Sequence, residues 1–470
     1  MEHQRLRSLC REFVRDKRDL FHQHIPVHSR KHSVSTPSLC IHPRVTSMNT
    51  DSVVVVGAGL AGLVAARHLA QAGASVTVYE QRAEVGGRVR TRQQDGFIID
   101  RGFQVLFTSY PAVTRELDLD ALSLRRFTPG AVIARPGSRS VLSDPLRDPR
   151  AAVSSVRTDE VTQTDKIRTL LLRQHVGTRT EREIFDSPDQ SIRSYLREWG
   201  FSDDYLDHFI APFYGGITLD RSLSTSKRVF EYTFKSLSTG DIALPADGMQ
   251  AVPQQLAMHA RDAGANIVCE EGVTDIIDHT DSVTIETETT TVDADAVVIA
   301  TDPADARRLS GVESIPTDTR GCVTQYYGLP IADAPKTRKK IILNAANSAP
   351  NTVVPLSNVA SEYAPDNQAL LNATFLSSAA FERDSDTLAE QTRSALSSWY
   401  PDRDFDSLKP IVTDRIEFAQ FDQPPGVHDT LPQTRAPGGR TYLAGDYTAW
   451  SGIQGAMRSG REAAIAINAD

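Results

Sequence analysis

The chain has 470 residues, 40% of them hydrophobic, and a mean hydropathy of −0.31, which suits two domains with sizeable buried cores. No apolar run approaches the ~18 residues that span a bilayer, and four cysteines without a CxxC spacing argue against a disulfide framework or a zinc site. A net charge of −9 disfavours nucleic acid as a partner, and a reducing, cytoplasmic setting is expected, with peripheral membrane contact left open.

Residues 1–47 differ in composition from the rest of the chain. They hold six of the twelve histidines and nine Lys+Arg against four Asp+Glu. They contain no apolar h-region, so a secretory signal is not expected. His22, His24, His28 and His32 lack suitably spaced partners, and no metal site is assigned. The segment reads as a disordered or non-native extension before Met48. The remaining 42 basic and 56 acidic residues give −14, and only nine of the chain's Lys+Arg are lysine. Such an Asp-rich, Lys-poor balance resembles proteins of salt-loving organisms.

Val53 to Val56 is a run of β-branched residues, the pattern of a parallel strand buried on both faces. Gly57-Ala58-Gly59-Leu60-Ala61-Gly62 comes next as GxGxxG where strand becomes helix. Gly57 permits the tight turn, Gly59 lets backbone approach a pyrophosphate, and Gly62 lets the helix pack on the strand. The helix is expected to end at Gly73, and its first turn is a seat for phosphate. Val76 to Tyr79 is the second strand. Glu80 ends it, where a carboxylate accepts hydrogen bonds from an adenosine ribose, with Gln81 beside it. Ala58, Leu60 and Ala61 complete the candidate contacts. The fingerprint alone does not separate NAD from FAD.

Gly86-Gly87-Arg88-Val89-Arg90-Thr91 is a run of small residues leading into a guanidinium that matches phosphate geometry. Gly96 to Gln104 reads as a strand entering a glycine turn. From about 106 to 239 the pattern is more helical, with a Pro/Asp-rich loop from Ser143 to Arg150 and a helix from Ser191 to Gly200. Ala211 to Ile217 is expected as a flexible turn carrying Phe213 and Tyr214, which either line a pocket or pack as core. Helix 249–263, strand 266–270 and the buried strand 295–301 come after it; Gly272-Val273 lies between the last two. Strands are expected at 323–329 and 369–376, and a helix at 387–399. Arg440 to Asp446 is a short apolar strand ending in Gly445-Asp446, and Trp450 to Arg461 opens a terminal helix rich in small residues.

Together the fingerprint, the GGR run and the closing Gly-Asp motif resemble the flavin-containing amine oxidoreductase superfamily. That group includes monoamine oxidases, protoporphyrinogen oxidases and phytoene-type desaturases. The resemblance implies an α/β protein, a Rossmann-like FAD-binding domain with an interleaved α+β substrate domain. The expected boundaries are 48–105, 240–310 and 435–470 for the cofactor, and 106–239 and 311–434 for the substrate. It places Gly86, Gly87 and Arg88 along the FAD pyrophosphate and Gly102, Phe103 and Gln104 near the isoalloxazine. Val273 would pack on the adenine and Asp446 would hold the ribitol. Ile453 and Gln454 would face the flavin's pyrimidine end, where a helix N-terminus favours the negative charge of reduced flavin.

The implied function is an FAD-dependent oxidoreductase with non-covalent FAD, oxidising or desaturating an apolar small molecule, isoprenoid/carotenoid or porphyrinogen-like, by hydride transfer to flavin N5. There is no second GxGxxG, so a diffusible acceptor, oxygen or a quinone, is expected. Amine-oxidising relatives usually carry an aromatic residue where this chain has Ile453, which counts against an amine. An amine oxidase and a non-catalytic FAD-binding protein remain as alternatives. No catalytic acid or base is assigned; Lys227, Arg228 and Lys235 are candidates by location only.

Overall fold

The computed structural model describes residues 51–143, 161–346 and 349–469. The expectations for residues 1–47, and for the 143–150 loop beyond Ser143, lie outside the described residues. The described residues form one compact unit.

The four valines form β1 (Ser52–Val56), buried on both faces as their branching and lack of polar atoms require. Helix α1 (Leu60–Gln71) and β2 (Ser75–Glu80) complete a βαβ unit. A hairpin of β3 (Ala131–Arg135) and β4 (Ser138–Leu142) comes before a helical stretch that includes α2 (Ala211–Thr218) and α3 (Lys227–Thr239). The chain returns through α4 (Ala251–Asp262), β5 (Asn266–Cys269) and β6 (Ala296–Ile299). Four strands then come in succession: β7 (Thr319–Pro330), β8 (Ile341–Asn344), β9 (Thr352–Pro355) and β10 (Gln368–Phe375). Helix α5 (Ser385–Trp399), β11 (Lys409–Phe421), β12 (Thr441–Leu443) and α6 (Ile453–Asn468) close the chain.

Two sheets carry the architecture. The first is parallel, in the order β5-β2-β1-β6-β12, with Val54 opposite Thr77 on one side and Val297 on the other. Its strands come from three separate stretches of sequence. The second has seven strands in the order β11-β7-β10-β9-β8-β3-β4, mostly antiparallel. Its back face packs Val323, Tyr327, Leu371 and Phe375 against Leu388, Leu396 and Trp399 of α5. Among the described residues, no helix is long and apolar enough to cross a membrane.

One expectation is overturned locally. Residues 211–217 are not a flexible turn but α2, continuing a π-helical turn over Leu206–Ile210. Pro212 follows directly on that π-helical turn, where the backbone hydrogen-bond ladder is already shifted. Gly215 allows close approach, since a Cβ there would lie 3.0 Å from the Arg221 Cα.

Candidate functional site

The site begins at the end of β1. Gly57 turns with φ +99° and donates its N–H to the Tyr79 carbonyl at 2.8 Å. A Cβ on Gly62 would sit 2.0 Å from the Gly57 carbonyl oxygen, so this glycine is what lets α1 pack onto the turn. Gly59 behaves differently. It precedes α1 without a side-chain cap, and a Cβ there would meet nothing within 4 Å. Its open side faces a cavity of about 920 Å³. Glu80 is 4% exposed and lines the same cavity. Its Oε2 accepts the Ala58 N–H at 2.8 Å and its Oε1 the Arg82 N–H at 3.0 Å.

A second loop lies against the first. Gly86 donates its N–H to the Ala58 carbonyl at 2.8 Å, and Gly87 faces Gly59 closely enough that a Cβ would be 3.3 Å from the Gly59 Cα. The Arg88 guanidinium bridges two distant segments, donating to Asp446 Oδ1 at 2.7 Å and the Ala419 carbonyl at 3.1 Å. Ser451 donates to the other Asp446 oxygen at 2.8 Å. Beyond it, α6 starts at Ile453 with Gly452 as an uncapped N-terminal neighbour, and both line the cavity. Free N–H groups there favour negative charge. Two uncapped helix starts and the facing pair Gly59 and Gly87 make a cradle fit for an extended, phosphate-bearing dinucleotide.

The cavity continues past the Asp100-Arg101-Gly102 turn. Asp100 is buried and accepts from the Thr91 hydroxyl at 2.5 Å, the Met249 N–H at 2.8 Å and the Tyr363 hydroxyl at 3.3 Å. Burial pushes its carboxyl up to about 6 against those bonds. The Gly102 carbonyl accepts from Tyr326 at 2.9 Å, and Gln104 donates to the Arg88 carbonyl at 3.0 Å. The far end is aromatic, with Phe103 edge-on to Phe127, Phe107 beside Tyr110, and Tyr110 against Trp450. Among the described residues no lysine or histidine lines the cavity. Its carboxylates are Glu80, Glu288, Asp302, Asp305, Glu417 and Asp446. Elements α2, α3 and β7 to β10 contribute no charged side chain to that lining.

Most of the expected residues converge here. Gly57, Gly59, Leu60, Ala61, Glu80, Gln81, Gly86, Gly87, Arg88, Gly102, Phe103, Gln104, Val273, Gly445, Asp446 and Ile453 all line the one cavity. Three do not. Ala58 is fully buried behind the turn, and Gly62 is spent on packing. Gln454 turns away, accepting the Ala112 N–H at 2.8 Å. The aromatic pair divides: Phe213 lines the cavity, while Tyr214 is 2% exposed in the core. The basic candidates are structural. Lys227 is 3.6 Å from Glu231, and Arg228 bonds Asp429 at 2.7 Å, both buried and neither lining the cavity. Lys235 donates to the Arg179 carbonyl. Sequence reasoning missed Cys322, Thr324, Thr352 and Thr374, which line the cavity from the second sheet. Period-two alternation marks two faces of a strand and does not say which one faces a site.

The chain matches the flavin containing amine oxidoreductase family model over residues 60–468. It is 30% identical over 289 residues to phytoene dehydrogenase of Streptomyces griseus, covering 56% of each chain. It is 29% identical over 174 residues to protoporphyrinogen oxidase 2 of Arabidopsis thaliana, covering 37% of this chain and 34% of that one. The matched stretches thus span about half or less of these curated relatives. A putative protoporphyrinogen oxidase from an Exiguobacterium species is similar in fold, with TM-score 0.66 at 18% identity over 90% of this chain and 99% of that one. Cyclohexylamine oxidase from Brevibacterium oxydans gives TM-score 0.66 at 19% identity over 89% and 99%.

Proposed function

The chain belongs to the flavin containing amine oxidoreductase family, with FAD as its cofactor, and on that premise we propose that it oxidises or desaturates an apolar, uncharged small molecule. The phytoene dehydrogenase and protoporphyrinogen oxidase relatives support an isoprenoid/carotenoid or porphyrinogen-like skeleton. FAD supplies the redox chemistry when bound, accepting a hydride equivalent at N5. In this reading the stretches 48–105, 240–310 and 435–470 hold the cofactor, and 106–239 with 311–434 hold the substrate.

The chain's own residues position and shield. Glu80 would accept from the adenosine ribose, and Gly59 with Gly87 would let backbone N–H groups approach the pyrophosphate. Arg88 would neutralise phosphate while keeping Asp446 aligned towards the ribitol. The N-terminus of α6 would stabilise negative charge at the pyrimidine end. Phe103, Phe107 and Phe213 exclude water from the reacting face. A diffusible acceptor, oxygen or a quinone, completes the cycle.

The observation that carries the substrate class is the aromatic end of the cavity, to which α2, α3 and β7 to β10 bring no carboxylate, lysine or histidine. An ammonium there would meet no carboxylate on those elements. Ile453 adds no aromatic face for a cation. Anaerobic addition of substrates to the holoenzyme tests this through the visible flavin band. Bleaching by a polyene or a porphyrinogen, and not by putrescine or cyclohexylamine, is expected. Bleaching by the amines would make the chain an amine oxidase, and none by any compound would favour FAD binding without turnover.

A further inference from the structure

A small sheet stands at the Glu80 end of the cavity. Its three strands, Val273–Asp278, Val283–Thr287 and Thr291–Ala294, pair in sequence order. The chain reaches it alongside the end of β2: Glu271 donates its N–H to the Glu80 carbonyl and Glu270 to the Arg82 carbonyl, both at 3.0 Å. Gly272 and Val273 therefore line the cavity beside Glu80 and Gln81, and a Cβ on Gly272 would be 3.5 Å from the Gln81 Cβ.

The hairpin turn from Thr287 to Thr290 is folded down onto this step. The Thr287 N–H donates to the Thr290 carbonyl at 2.8 Å, and the Thr289 N–H and hydroxyl both donate to Glu271 Oε1, at 3.0 and 2.7 Å. Between them, Glu288 donates its own N–H to the Gly272 carbonyl at 3.0 Å. Its side chain comes to lie over Gly272, where a Cβ would be 2.8 Å from Glu288 Oε1, so the glycine leaves the room that the carboxylate occupies. Glu288 lines the cavity and is exposed, within reach of a ligand. Four other carboxylates of the lining are taken up by the protein: Glu80 by the Ala58 and Arg82 N–H groups, Asp302 by the Asp305 N–H, Asp305 by Arg308 and Asp446 by Arg88. The Glu288 carboxylate has no hydrogen bond or ion pair among the described residues. Glu417 is likewise unpartnered but stands on β11 of the second sheet.

We propose that Glu288 reads the adenine of FAD, its carboxylate accepting a hydrogen bond from the amino group of the base. This rests on the reading that places the ribose at Glu80 and the base at Val273. An ionised carboxylate accepts hydrogen bonds and gives none, and adenine carries an amino donor at C6. Gln81 and Gly272 are in contact, so a base joined to a ribose at Glu80 has the Gly272-Val273 step, with Glu288 above it, as its next wall. Arg308 also lines this end, but its guanidinium is committed to Asp305 and to the Thr274 carbonyl at 2.9 Å, which leaves Glu288 free to accept from the base.

The test titrates the full chain, freed of flavin, with FAD and with the flavin dinucleotide of unsubstituted purine, which lacks only the amino group, following flavin fluorescence. Wild type should bind FAD roughly three- to tenfold more tightly than the purine dinucleotide. Glu288→Ala should bind the two alike. Glu288→Gln should keep part of the preference, because its amide oxygen still accepts. Loss of the negative charge acts equally on the two diphosphates and cancels in the ratio. Equal affinity of wild type for the two, or a preference that survives in full in Glu288→Ala, would overturn the proposal. Glu80→Ala tells the two kinds of failure apart. If it weakens both dinucleotides by the same factor while no purine preference exists, the adenosine placement stands and Glu288 alone loses its role. If it weakens neither, the placement falls and the proposal with it.

Discussion

Glu80 Oε2 accepts the backbone N–H of Ala58 at 2.8 Å, so the acid at the end of β2 braces the glycine turn as well as facing the cavity. Glu80→Ala therefore has two effects. It orphans a buried N–H, costing about 1–3 kcal/mol of stability even without cofactor. On the proposed ribose role it also removes charge-assisted bonds, and FAD affinity should weaken by roughly ten- to a hundredfold. Glu80→Gln should recover most of the apo-protein's melting temperature, because its amide oxygen still accepts from Ala58, but less of the affinity. Glu84→Ala, at an exposed loop position, should change neither. FAD titration of the apo-proteins with parallel melting curves checks this; equal affinities for Glu80→Ala and Glu84→Ala would refute the ribose role.

The two glycines Gly59 and Gly62 should separate folding from cofactor binding. Gly59→Ala meets no neighbour within 4 Å, so only a cap preference of about 1 kcal/mol is lost and the protein folds. Its methyl group projects into the cradle, and FAD affinity should fall at least about tenfold. Gly62→Ala collides with the Gly57 carbonyl and should cost more than about 3 kcal/mol. Circular dichroism and flavin content of the two variants measure the difference; a Gly59→Ala protein with full FAD affinity would contradict the cradle.

Asp100 makes stability depend on pH in an unusual direction. Its carboxyl titrates at about 6 in the native protein against an ordinary value of 3.8. Between those values the native state holds a proton that the unfolded chain has lost. Stability therefore falls as pH rises from about 4 to about 6 and is level above, by on the order of 3 kcal/mol in total. Asp100→Asn keeps an acceptor for Met249 and Thr91 and a donor for Tyr363, without the titration. The stability of wild type relative to Asp100→Asn should decline across that window in urea unfolding. Parallel curves would rule the assignment out.

FAD should be released by acid precipitation. No histidine lines the cavity among the described residues, and the one cysteine that does, Cys322, has its thiol pushed up to about 12 by burial. A thiol so rarely ionised is a poor nucleophile towards the flavin. Yellow supernatant containing FAD is the expected result. Flavin retained in the pellet, or lost from the pellet only in a Cys322→Ser variant, would show a covalent bond.

Residues close in sequence announced the cradle. Val53 to Val56, the glycines to Gly62 and the acid Glu80 lie within one βαβ unit, where turn geometry, helix dipole and buried strand each demand particular side chains. The family motif at Gly86 to Arg88 and the closing Gly445-Asp446 were legible for the same reason, as close backbone approach there needs small residues. Tertiary structure decided the rest. Arg88 meets Asp446 across 358 positions, and Gln454 turns from the cavity to hold Ala112 across 342. Phe213 and Tyr214, adjacent in the chain, part into cavity and core because a helix rotates neighbouring side chains by about 100°. Thr324, Thr374 and Thr352 stand in a row only through the register of three strands, since which residues stand opposite across an antiparallel ladder is set by pairing partners far away in sequence and not by the alternation within any one strand.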